Sequence, residues 1–165
     1  MKEDIKELVF LEADKVGFVD LSGVLPDLVS YGYLGDPAMP NAISIGKSLV
    51  NALVDKSRSD MPPITAKIYR LYNYDIINDA LNKLSFTVVS ILQKNGYQAF
   101  PVPATPSSSG KKVHFGYFSH KAVARLAGLG WIGPSCLLIT PDFGPRLRWA
   151  TVFTNAPIGD KPKLL

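Results

Sequence analysis

The chain has 165 residues, 47% hydrophobic and 19% charged, with a formal net charge of +4. That is one domain with a real core. Its scattered lysines permit an anionic ligand without indicating nucleic acid. Its only cysteine, Cys136, excludes a disulfide framework and a cysteine-rich metal site within the chain, and no apolar run approaches the ~20 residues that span a membrane, which together fit a cytoplasmic setting.

Residues 3–15 carry helical spacing, with Ile5, Leu8, Val9 and Leu11 between charges, and Gly17 reads as the helix stop. Phe18-Val19-Asp20-Leu21 is a short strand. Residues 22–41, rich in Gly, Pro and Tyr, read as an irregular loop, either of the functional kind its length allows or a plain connection with one helical turn near Leu25–Val29. Ala42 to Gly46 alternates as a strand. Gly46-Lys47-Ser48 is no phosphate loop, because position 41 is Asn rather than Gly. Residues 55–63 form a turn ending in Pro62-Pro63.

The longest helix is expected over residues 66–94, capped by Thr65 and stopped at Asn95-Gly96. Its stripe includes Ile68, Leu71, Tyr72, Ile77, Leu81, Leu84, Val88, Ile91 and Leu92. Tyr69, Tyr72, Asn73, Tyr74 and Asn78 cluster in its first half, either as core aromatics with wet hydroxyls or as a row facing a polar ligand. Residues 97–102 form a strand. The Ser/Gly/Lys loop from Thr105 to Lys112 is either a lid or a plain linker. A short small-residue helix (Ala122, Ala124, Ala127) then runs into Gly128, Gly130 and Gly133. Ser135 to Thr140 reads as a buried strand holding an inert Cys136. Residues 141–145 form a turn suited to an antiparallel pair, and Leu147 to Thr154 a last strand. The class is α+β, a mostly antiparallel central sheet flanked by helices.

His114 and His120 are the only histidines, and their near-neutral pKa makes each a candidate catalytic acid or base or a metal ligand, or else a plain surface or hydrogen-bonded histidine. Zinc-enzyme spacing and a GxSxG elbow are absent. Gly128-Leu129-Gly130-Trp131-Ile132-Gly133 satisfies the letters of a dinucleotide fingerprint. It follows a helix and precedes a strand, the reverse of what that fold requires. The stretch still offers backbone amides beside an aromatic ring. Gly128, Leu129, Gly130, Trp131, Ile132, Gly133 and Ser135 are therefore the candidate cofactor-binding residues. Arg146 and Arg148 alternate along one strand, either to hold a phosphate or carboxylate or to sit in solvent.

The run Ala127-Gly128-Leu129-Gly130-Trp131-Ile132-Gly133 resembles the signature of the epoxyqueuosine reductase group of iron–sulfur proteins. Ser119-His120-Lys121 before it agrees, as do Leu137 to Thr140, Phe143 to Arg148 and Thr154 to Pro157 after it, and Gly96 to Ala104 upstream. The resemblance covers much of residues 42–159. It implies a nitroreductase-like α+β domain that binds cobalamin, related to a module of reductive dehalogenases, with FMN as the alternative ligand of such folds. It also implies a ferredoxin-like segment with two [4Fe–4S] clusters, or an electron-donor protein, as partner. The chain itself is expected to be a single corrinoid-binding-like domain over residues 1–165. The cluster cysteines would lie just after Leu165, so the expectation is a cut at the domain boundary or a lost relay. Two departures stand out. Pro134-Ser135-Cys136 replaces the group's usual Lys-Asn-Thr, and no carboxylate lies between Pro103 and Ala127, where epoxyqueuosine reductase proper carries a proton-donating Asp. Both favour an oxidoreductase acting on something other than epoxyqueuosine; a docking module without chemistry of its own is the other reading.

Overall fold

The computed structural model describes residues 1–24, 26, 36–57, 60–105 and 118–163. His114, half of the 22–41 loop and all of the 105–112 loop but Thr105 lie outside these described residues. The framework is a four-stranded, wholly antiparallel sheet of β1 (Lys15–Asp20), β2 (Asn41–Ser48), β3 (Ala99–Val102) and a long terminal strand, Leu147–Thr154. The spatial order places Leu147–Thr154 between β2 and β3, with β1 outside β2.

Side chains alternate across this sheet. Ile43, Ile45, Ala150 and Val152 face one side, where they pack with Ile5 and Val9 of helix α1 (Lys2–Glu12). Ala42 and Phe153 face the other side, packed against Val123 and Ala127 at a short later helix. Both faces of β2 are therefore covered, and its first six residues are all buried. Gly17 is not the stop of α1, which ends at Glu12; it sits inside β1. A side chain there would meet the Ala127 methyl at 2.8 Å, so glycine lets the later helix close onto the strand.

After β2 come the single turn α2 (Asn51–Asp55) and then one helical run from residue 63 to 94. It divides into α3 (Pro63–Arg70), a π-helical turn (Leu71–Ile76) and α4 (Ile77–Lys94). The start is Pro62-Pro63 rather than a Thr65 cap, because proline's fixed φ suits the first helical position. Asn95-Gly96 ends the run as expected, with Gly96 at φ +83°. The π turn changes the apolar stripe. It takes one more residue per hydrogen-bonded turn, so the helical phase shifts across it. Ile77, Leu81, Leu84, Val88 and Leu92 face the core, while Ile68, Leu71 and Tyr72 are left exposed.

The rest is α5 (His120–Leu126) and a separate two-stranded hairpin, β4 (Trp131–Ile132) with β5 (Leu138–Ile139); the long terminal strand is β6. The expected strand from Ser135 to Thr140 shrinks to Leu138–Ile139, and it pairs with β4 rather than β6. Both edges of β6 are already bonded, to β2 and β3. Among the described residues no helix is long and apolar enough to cross a membrane.

Candidate functional site

The AGLGWIG run is the hinge and first strand of the β4–β5 hairpin. At the end of α5, the Gly128 N–H donates to the Arg125 carbonyl (2.8 Å) and the Leu129 N–H to the Ala124 carbonyl (3.0 Å). Gly128 has φ +76°, the left-handed conformation that ends helices and favours glycine. The chain then turns back on itself. A Cβ on Gly130 would lie 2.1 Å from the Ile139 carbonyl oxygen, and one on Gly133 would lie 2.5 Å from the Ile139 side chain. Of the three glycines expected to approach a cofactor, these two are pressed against their own hairpin, and a Cβ on Gly128 would strike Lys163.

Leu138 anchors the hairpin by burying itself with Ala124, Leu147 and Trp149. Leu129 fills the seam between this cluster and the one around Phe153. What the hairpin leaves open is its rim. Trp131 is 46% exposed, Ile132 39% and Leu137 45%, with Ser135 exposed at the tip. Adjacent in β4, Trp131 and Ile132 project to opposite faces of the hairpin, Ile132 on that of its partner Leu138; several exposed apolar side chains on one short hairpin mark an interaction surface more often than scattered ones do. Cys136 is also exposed, at φ +57°, in the tight turn where its N–H donates to the Gly133 carbonyl. It is not a core thiol. The Lys121 ammonium donates to the Cys136 carbonyl (2.5 Å) and ties the turn back to α5.

His120 opens α5 but points inward and is buried. Its Nε2–H donates to the Pro103 carbonyl (3.0 Å), since a carbonyl only accepts, so Nδ1 accepts from the Thr151 hydroxyl (2.9 Å). Both ring nitrogens are taken, which gives His120 a part in tying α5 to β3 and β6. Burial pushes its pKa down to about 4. The Pro103 bond opposes that shift, and the Arg148 charge adds to it. A histidine depressed from 6.5 binds fewer protons in the folded than in the unfolded state. Its stabilising effect is complete above pH 6.5 and is lost as pH falls toward 4. The loss is about 3 kcal/mol, from roughly 1.4 kcal/mol per pKa unit. Urea melts at pH 7 and pH 4.5 should show it, and His120→Gln should remove most of that pH dependence; an unchanged slope would exclude His120 as its source.

A second arrangement was not foreseen as a unit. The π turn and the start of α4 carry Tyr74 and Asn78 over β6, where they meet Arg148. The Arg148 guanidinium stands 4.3 Å from the Tyr74 ring centroid and donates to Asn78 Oδ1 (2.7 Å) and the Thr105 carbonyl (2.5 Å). Tyr69 packs on Tyr74, their centroids 6.1 Å apart. In the same turn Asn73 is fully buried, accepting from the Val50 N–H while its amide donors find no partner among the described residues. The tyrosine row and Arg148 were each visible in the sequence. Their meeting depends on the π turn, which no residue pattern announced.

No protein-family model matches the chain. The epoxyqueuosine reductase of Bacillus cereus is 37% identical over 67 residues, covering 39% of this chain and 18% of that protein. Among solved structures, a selenomethionine-labelled epoxyqueuosine reductase superposes with a TM-score of 0.58 at 20% identity, over 99% of this chain and 48% of that one. A catabolic reductive dehalogenase superposes with a TM-score of 0.71 at 16% identity, over 99% of this chain and 22% of that one. A further reductive dehalogenase, described as suggesting a mechanism for B12-dependent dehalogenation, gives 0.67 at 17%. The chain spans about half the length of the solved reductase. It thus resembles the epoxyqueuosine reductases in sequence over part of its length and shares a fold with them and with the reductive dehalogenases.

Proposed function

We propose that this chain is a corrinoid-binding domain working within an iron–sulfur oxidoreductase of the epoxyqueuosine reductase type. The observation that carries the reading is the exposed rim of Trp131, Ile132 and Leu137, held out by the AGLGWIG hairpin of a fold shared with a B12-dependent dehalogenase. The residues fit such a ligand in one respect and not in another. The rim offers open apolar and aromatic surface of the kind a large flat macrocycle covers. The glycines offer no cradle, because their missing side chains are replaced by the hairpin's own atoms.

Trp131, Leu137 and, from the other face of the hairpin, Ile132 would hold the ligand by apolar contact and exclude water from it, and Ser135 would supply a hydroxyl at the rim. His120 would not ligate a metal, since both ring nitrogens are engaged. A corrin carries its cobalt in its own ring, so the rim would hold it by shape and apolar burial. Bound cobalamin would supply the redox chemistry, while the chain binds and orients it. The absence of a carboxylate from Pro103 to Ala127 supports a substrate other than epoxyqueuosine.

Protein purified from a host supplied with corrinoid should carry a cobalamin absorption spectrum and take up hydroxocobalamin in preference to FMN. Preference for FMN would replace this reading with a flavin enzyme, and binding of neither would leave a docking module. The electron relay must then come from outside these 165 residues, because a [4Fe–4S] cluster takes four cysteine thiolates and the chain has one cysteine. Anaerobic reconstitution with iron and sulfide should leave no cluster absorbance; stoichiometric uptake would contradict this.

A further inference from the structure

Two arginines two residues apart are treated differently by the fold. Arg146 is paired with Asp55 (2.8 Å) and bonded to Asn51 (3.2 Å). Arg148 is desolvated, yet among the described residues its bonded partners are all neutral: the Asn78 amide oxygen, the Thr105 carbonyl and Tyr74, which both packs its ring against the guanidinium and accepts a hydrogen bond from it. It forms no ion pair with a carboxylate of the described residues, and Asp75 acts on it only at longer range. Taking a guanidinium out of water without an anionic partner is unfavourable. Desolvation accordingly pulls its pKa below the usual arginine value. With these two bonds and a side-chain hydrogen bond to Tyr74, the five-donor fork still has N–H groups to spare among the described residues. Tyr69 and Tyr74 are only partly buried, and burial raises the Tyr69 pKa, so its hydroxyl stays protonated and able to donate.

We propose that Arg148, Tyr74 and Tyr69 form a binding site for the phosphate group of a small molecule. A guanidinium fork with two phenolic hydroxyls offers more donors than the two oxygens of a carboxylate use, and an anion would supply the missing countercharge. The site lies on the α1/α4 face of the sheet. β6 carries Arg148 on the face of Ala150 and Val152, whereas the hairpin packs on Trp149 from the opposite face. It does not rest on the corrinoid reading.

The test is calorimetric titration at constant ionic strength with inorganic phosphate, adenosine 5′-monophosphate as a phosphoester, and acetate. Wild type should bind phosphate or the phosphoester saturably, whichever is tighter identifying the source, with acetate at least tenfold weaker. Arg148→Met should weaken the tighter ligand at least tenfold, and Tyr74→Phe, which keeps the ring, several-fold. Lys67→Met, an exposed lysine of α3, should change nothing. Thermal melts run alongside, and if Arg148→Met does not fold, Arg148→Lys carries the comparison, since it keeps the charge and loses the fork. No saturation by wild type, acetate binding as tight as phosphate, or unaltered affinity in the folded Arg148 variant would each overturn the proposal.

Discussion

Gly130→Ala should cost about 3 kcal/mol, the upper end of what overpacking usually costs. In a domain of this size that lowers Tm by roughly 6–12 °C. The added methyl would lie 2.1 Å from the Ile139 carbonyl oxygen and 2.9 Å from its carbon. Both are backbone atoms of β5, so no rotamer change relieves the clash. The hairpin must open, and Leu138 must leave its place between Ala124 and Trp149. Gly144→Ala is the control. Gly144 has φ +55° with nothing near its missing Cβ, so its variant bears only the left-handed backbone penalty of ~1–2 kcal/mol. A Gly130→Ala protein melting like wild type would mean that β4 and β5 are not packed as described. Loss of ligand by this variant would not show that Gly130 touches the ligand, since the variant disturbs the surface that presents Trp131.

Phe153→Ala should destabilise by about 3–5 kcal/mol, the range for deleting a buried aromatic side chain. Phe153 is fully buried in a central strand. Its ring stacks on Phe100 at 5.3 Å and meets Phe118 edge-on at 5.2 Å. The cavity would open directly beneath Val123 and Ala127, where α5 seats on the sheet. The urea midpoint should fall accordingly, whereas Phe153→Leu, which keeps most of the volume, should lose under about 1.5 kcal/mol. A loss under ~1 kcal/mol for Phe153→Ala would contradict the assignment of this cluster as core.

What the sequence made legible was mostly local. β2 and β6 are dense in branched and aromatic residues, and Asn95-Gly96 announces its own helix end. The errors came where a distant partner decides the local outcome. Gly17 looked like a helix stop because glycine often is one, yet it is needed inside β1 for the approach of Ala127 and Leu129. Ser135 to Thr140 looked like a strand because it is apolar, but Gly133 and Leu137 close a turn across it and expose Cys136. The stripe through Ile68, Leu71 and Tyr72 assumed 3.6 residues per turn, which the π segment breaks. For the candidate site, the AGLGWIG run was read through its glycines. Its glycines build the hairpin, and the neighbouring side chains provide the open surface. His120 was chosen for its chemistry, and nothing in its neighbours revealed that Pro103 and Thr151 would enclose it.

The central claim is that the rim around Trp131 holds a corrinoid. Equilibrium dialysis of hydroxocobalamin against wild type and Trp131→Ala, with thermal melts alongside, tests it most directly. Trp131 is half exposed, so its removal should leave Tm within a few degrees. Covering its open surface with ligand is worth about 2 kcal/mol at roughly 25 cal/mol per Å². The account therefore predicts affinity at least about tenfold weaker in the variant. Equal affinities in two equally stable proteins would contradict it.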